Sequence, residues 1–134
     1  MSVGFDHVGL CVAELDAAQA FYERAFGFRL QLAFSLPGEI RGAMMTHDSG
    51  MRFELFERPG SRPGIHDQMP DEALATRGYG HFALKAPEID SVFQRAVAEG
   101  ARPMIEPRPS PEPGVRFAFL ADPEGNLVEL VERD

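Results

Sequence analysis

The sequence predicts an α+β fold made of two βαβββ modules in tandem, forming a cupped mixed β-sheet with the helices on its outer face. Three observations carry this expectation: a repeat whose period exceeds half the chain, one amphipathic helix in each copy, and short alternating strands around each helix. The repeat is read by spacing. Phe5-Asp6-His7-Val8-Gly9-Leu10 returns as Tyr79-Gly80-His81-Phe82-Ala83-Leu84, an offset of 74 that also carries Asp16 to Asp90. Gly50-Met51-Arg52-Phe53-Glu54-Leu55-Phe56-Glu57 returns as Gly125-Asn126-Leu127-Val128-Glu129-Leu130-Val131-Glu132 at an offset of 75, with Gly, Glu, Leu and Glu identical. A single domain over residues 1–134 therefore divides into a module of residues 3–57 and a module of residues 79–132, joined by residues 58–78.

The first strand points Val8, Leu10 and Val12 one way and His7, Gly9 and Cys11 the other, because side chains alternate across a strand. Its apolar set is expected to meet a helix. That helix starts with Asp16 as its cap and carries Ala18, Phe21, Tyr22, Ala25 and Phe26 at helical spacing until Gly27 stops it. Strands follow near Leu30 to Leu36 and Gly42 to His47, and then Phe53 and Leu55 oppose Glu54 and Phe56. Arg58 to Gly78, rich in Pro and Gly, reads as the joining segment, with a turn of helix at Pro70 to Ala75. In the second copy Phe82 and Leu84 oppose His81 and Ala83. The helical stripe is Ile89, Val92, Phe93, Ala96 and Val97, with Asp90 in the first turn and Gly100 as the stop. Strands near Arg102 to Glu106 and Val115 to Leu120 flank a proline-laden loop, Pro107 to Gly114. Last, Val128 and Leu130 oppose Leu127, Glu129 and Val131.

Composition narrows the function. With 134 residues, 44% of them hydrophobic, and no apolar run near the roughly 18 residues that span a bilayer, a soluble domain is expected. A formal charge of -8 repels nucleic acid and anionic membranes, so neither is an expected partner. Cys11 is the lone cysteine and has no internal disulfide partner. The first six residues lack the charged-then-apolar secretory pattern, so a cytoplasmic location is the expectation.

On the face opposite the helices stand His7 and Glu54 from one copy and His81 and Glu129 from the other. An unpaired buried carboxylate costs several kcal/mol unless it is protonated, hydrogen-bonded or bound to a cation. Two in equivalent places raise that cost. Singly, an inward His is usually hydrogen-bonded in a core and a Glu at a strand end is usually solvated. Related by one repeat, the four make an N2O2 set that suits a divalent ion such as Ni, Zn, Co, Mn or Fe, with two positions open; a structural zinc would call for cysteines. Cys11 shares the His7 face and is read as structural. His47 and His66 lie outside the repeated positions and read as loop residues. Phe56 and Phe119 suit a pocket wall or a core equally, and Arg52 and Arg116 read as solvated, with an anionic substrate as the alternative.

These segments resemble the vicinal oxygen chelate superfamily, also known as the glyoxalase, bleomycin resistance and extradiol dioxygenase superfamily. The resemblance runs from Phe5 to Glu132. It rests on His7-Val8-Gly9-Leu10, on Phe21-Tyr22 with Gly27-Phe28, on Gly80-His81-Phe82-Ala83-Leu84, and on Asp122-Pro123-Glu124-Gly125-Asn126 leading into Val128-Glu129-Leu130. Glu54 in the second ligand position is similar to glyoxalase I, whereas methylmalonyl-CoA epimerases usually carry Gln there and fosfomycin-resistance enzymes use three protein ligands. The resemblance implies a glyoxalase-I-like metal-dependent lyase or isomerase acting on a small vicinal-oxygen substrate, such as the hemithioacetal of an α-oxoaldehyde and a thiol. The implied route is a metal-stabilised enediolate, with Glu129 or Glu54 carrying the proton. Alternatives on the same fold are a metal-free antibiotic-binding module of the bleomycin type, and an epimerase or extradiol-type dioxygenase. A homodimer is the expected state.

Overall fold

The computed structural model describes residues 1–133. The elements run β1 (Val8–Cys11), α1 (Leu15–Phe26), β2 (Arg29–Leu36), β3 (Ile40–Thr46), β4 (Arg52–Glu57), α2 (Pro70–Ala73), β5 (Phe82–Lys85), α3 (Ile89–Ala98), β6 (Arg102–Pro109), β7 (Val115–Ala121) and β8 (Leu127–Arg133). The chain divides into two compact units, one from Met1 to Arg62 and one from Pro63 onward. Each holds a four-stranded mixed sheet, ordered β1-β4-β3-β2 in the first and β5-β8-β7-β6 in the second. In each, the first strand lies parallel to the last and the other pairs are antiparallel. This is the α+β, βαβββ architecture that the repeat predicts. Among the described residues no helix is long and apolar enough to cross a membrane.

In the first unit α1 lays its apolar stripe on the sheet. Phe21, Tyr22 and Ala25 are buried, and on the strands beneath them Met45, Phe53 and Leu55 are sealed completely. Tyr22 meets Phe53 edge-on at 4.8 Å, and Phe28 meets Phe53 in the same manner at 4.7 Å, the offset geometry that aromatic quadrupoles favour. The helix stops at Gly27, whose φ of 79° lets its N–H reach back to the Tyr22 and Glu23 carbonyls, a conformation that costs glycine nothing. His47 Nε2 lies 3.0 Å from the Phe26 carbonyl. That histidine is thus part of the helix C-terminus, in keeping with its place outside the repeated ligand positions.

The start of α1 corrects the expectation for Asp16. The capping residue is Glu14, and it offers no side-chain cap. Asp16 lies inside the first turn, too late to cap. The Leu15 N–H instead donates to Glu57 Oε2, at the far end of β4, at 2.7 Å. Arg41 binds Asp16 at 2.7 Å and stands 3.6 Å from Glu57. The second unit repeats the device: the Ile89 N–H donates to Glu132 Oε2 at 3.1 Å, and Arg116 binds Asp90 at 2.8 Å and stands 3.5 Å from Glu132. Arg116 therefore belongs to the α3 side of its sheet rather than to a substrate-facing position, and it keeps 37% of its side chain exposed while paired. The identical Glu57 and Glu132 of the repeat are helix caps reached through tertiary structure.

One further feature differs from the sequence reading. β6 continues through Pro109, past the Pro107 boundary expected from composition. Among the described residues its one strand neighbour is β7, which puts it at the sheet edge, the place where sheets tolerate proline. The Asp122-Pro123-Glu124-Gly125-Asn126 motif is a turn held by the buried Asp122 carboxylate, which accepts the N–H groups of Glu124 and Asn126 at 2.9 Å. The late part of the joining segment seals this turn: the Asp67 N–H donates to the Gly125 carbonyl at 2.9 Å, and Arg102 pairs with Asp67. His66 lies in that strap with Nδ1 2.8 Å from the Gly64 carbonyl, a loop residue as expected.

Candidate functional site

The parallel pairing of β1 with β4 sets Gly9 beside Glu54, and that of β5 with β8 sets Ala83 beside Glu129. A histidine stands two residues before each small residue, on the same side by strand alternation. The result is one His–Glu pair in each unit. His7 Nε2 lies 2.8 Å from Glu54 Oε1, and His81 Nε2 lies 3.2 Å from Glu129 Oε1. The neighbours of the glutamates on β4 and β8, Phe53, Leu55, Val128 and Leu130, are buried against the helices. The pairs thus sit on the opposite sheet faces. Glu54 and Glu129 keep 20% and 21% of their side chains exposed, and His7 and His81 keep 34% and 40%, so both pairs are open to an entering ligand.

The first pair has a longer polar train than the second. Asp6 Oδ2 lies 2.6 Å from His7 Nδ1. Arg52 donates to both Asp6 oxygens at 3.5 Å and, through Nε, to Gln31 Oε1 at 3.1 Å. The Asp6 hydrogen bond holds His7 above the ordinary imidazole range against its own desolvation, with Glu54 adding to the effect. The same bond holds Asp6 below the ordinary carboxylate range, with Arg52 helping. Arg52 is therefore engaged on both sides, with 34% of its side chain still exposed.

Each face also carries aromatic groups. Phe34 and Phe56 meet edge-on at 5.7 Å in the first unit, and Cys11, paired in register with Phe56, is exposed, whereas free cysteines are more often buried. In the second unit the His81 ring stands edge-on to Phe119 at 4.9 Å, and Phe119 pairs across β7 and β8 with Glu129. Among the described residues no three His, Cys, Asp or Glu side chains gather as a metal-holding cluster; the donors stand as two pairs. Each pair turns an imidazole nitrogen and a carboxylate oxygen toward each other, a donor combination that fits a borderline divalent ion.

The model of the Glyoxalase/Bleomycin resistance protein/Dioxygenase superfamily matches residues 4–130. The chain belongs to this superfamily. An uncharacterized protein of Pseudomonas aeruginosa is 32% identical over 97% of this chain and 89% of its own length. A lactoylglutathione lyase of Arabidopsis thaliana is 29% identical over 96% of this chain, which spans only 44% of that plant protein. A solved glyoxalase family protein from Bacillus cereus superposes with a TM-score of 0.79 at 26% identity, covering 98% of this chain and 95% of that one. The repeat-based reading singled out the four residues that the fold brings together as two His–Glu pairs, and it did not single out Asp6 or Gln31, which join the polar train behind His7. Asp6 carried one legible signal, a carboxylate directly before the first histidine where the second copy has Gly80. Gln31 carried none, because its direction depends on a break in the β2–β3 pairing.

Proposed function

We propose that the chain is a glyoxalase-I-like metal-dependent lyase or isomerase, with His7, Glu54, His81 and Glu129 as the ligands of a divalent ion among Ni, Zn, Co, Mn and Fe. The observation that supports this most is the recurrence of one His–Glu pair at the same register in both units. The complete set needs both pairs, and a homodimer is the state we assign to the working protein. The substrate class is a small molecule with vicinal oxygens, of which the hemithioacetal of an α-oxoaldehyde and a thiol is the leading case. The name of the Arabidopsis relative points the same way.

A divalent ion held by these donors supplies the positive charge that neutralises the substrate oxygens as a carbon-bound proton leaves. The chain does the rest. Glu129 or Glu54 takes the proton from one carbon and returns it to the neighbouring carbon, so the conversion is an isomerisation that consumes no oxidant or reductant. His7 and His81 have no proton to exchange in this scheme and serve to hold position. Phe119 stands opposite Glu129 in register and gives that carboxylate one apolar neighbour.

The test is metal analysis of protein purified without chelator, followed by assay of methylglyoxal with glutathione and, separately, with other low-molecular-weight thiols. We expect a stoichiometric divalent ion and thioester product. Glu129→Gln should lower kcat by about 10²–10⁴-fold, the usual share of a general base. A metal-free protein that binds an antibiotic of the bleomycin type would replace this reading with the sequestering one, and a metal-loaded protein that forms no thioester with any thiol would turn it toward an epimerase.

A further inference from the structure

The two His–Glu pairs are equivalent in register and unequal in support. In the first unit a continuous polar chain runs from Gln31 through Arg52 and Asp6 to His7. It begins at an irregularity of the sheet: Leu30 pairs with Met45 and Leu32 with Met44, which leaves Gln31 as an extra residue on β2. Such a bulge re-aims a side chain, and here the side chain bonds to Arg52.

The second unit has the same bulge without the same chemistry. Pro103 pairs with Leu120 and Ile105 with Phe119, leaving Met104 as the extra residue. The offset of 75 puts Leu127 where the first unit has Arg52, and the offset of 74 puts Gly80 where it has Asp6. Met, Leu and Gly cannot rebuild the chain Gln–Arg–Asp. The His81 ring is instead flanked by Phe119.

An isolated exposed ion pair would carry little consequence, because solvent screens it. The Asp6 contact differs in where it falls. It engages Nδ1 while Nε2 faces Glu54, so it selects which ring nitrogen is turned toward the ligand position. Outer partners of this kind orient a ligating imidazole and raise its basicity.

We propose that Asp6, held by Arg52 and Gln31, is a positioning residue that fixes the His7 ring with Nε2 toward Glu54 and makes the first unit the pre-ordered half of the metal centre. This rests on the reading of His7 as a ligand. His81, which has no such outer carboxylate among the described residues, is the half that orders when the ion arrives.

The test measures zinc affinity of the full chain by competition with a chromophoric chelator, for the unaltered protein and for Asp6→Ala, Asp6→Glu and Arg52→Leu. Asp6→Ala should weaken zinc about 10–100-fold, Arg52→Leu should weaken it less, and Asp6→Glu should restore part of the loss. In the metal-free chain at alkaline pH, nitrogen NMR should find His7 mainly protonated on Nδ1, and Asp6→Ala should shift it toward the Nε2 tautomer with His81 unmoved. Thermal melting confirms that the variants fold. Zinc affinity and tautomer unchanged in Asp6→Ala, with the unaltered chain binding zinc, would overturn this inference alone. An unaltered chain that binds no divalent ion would overturn it together with the proposed function.

Discussion

Glu57 and Glu132 show how a residue acquires its role. By sequence they are two identities in a repeat; in the fold each carboxylate crosses from the last strand of its sheet to the first N–H of its helix. Removing Glu57 takes away the acceptor of that N–H and leaves Arg41 with Asp16 alone of its two carboxylates. Glu57→Ala should therefore destabilise the chain by about 1–2 kcal/mol, within the range for charge-assisted hydrogen bonds and helix caps, read as a lower denaturant midpoint with unchanged slope. Asp90 gives a pH-dependent counterpart. The Arg116 hydrogen bond, with the Arg116 charge, holds its carboxyl below the ordinary range. Its contribution is thus present above the unfolded carboxylate value and lost as pH falls through the folded one, because the unfolded chain binds more protons in that window. Denaturant midpoints taken between about pH 2 and pH 6 should fall less steeply on acidification in Asp90→Asn than in the unaltered chain. Equal slopes would show that the pair does nothing for stability.

At the scale of elements, strand register decides what the glutamates can do. Alternation alone assigns Glu54 and Glu129 to the face away from the helices, and the parallel pairing with β1 and β5 then brings each to a histidine. The helices and most strands were legible because burial follows a period of 3.6 or 2. The extension of β6 through Pro109 was not, because proline is read as a breaker and only an edge position excuses it. The Asp122 to Asn126 turn makes a further point. Gly125 has a φ of 90°, and an added Cβ would stand 2.7 Å from the His66 Cβ and 2.9 Å from Asp67 Oδ1. Gly125→Ala should cost more than about 1 kcal/mol, since a non-glycine residue is strained there and the strap over the turn must shift. Thermal melting measures it, and a neutral result would mean that the strap moves freely.

At the scale of the whole molecule, the proposed ligation would be linked to folding. An ion that binds the native chain and not the unfolded one stabilises it by about 2.7 kcal/mol at a hundred times its dissociation constant. Nickel or zinc should raise Tm, chelator should reverse the rise, and His81→Ala should shrink it; a Tm indifferent to every divalent ion would contradict the four-ligand proposal. The sequence by itself determined the duplicated βαβββ plan, the apolar faces and the four candidate donors, because periodicity, spacing and residue identity are local properties that survive without coordinates. Tertiary structure alone decided that Glu57 and Glu132 cap helices, that Arg116 serves α3, that Cys11 is exposed, and that Gln31, Arg52 and Asp6 line up behind His7. Each of those depends on which strands pair, in what register and with what bulge, and pairing between distant segments leaves no mark on either segment alone.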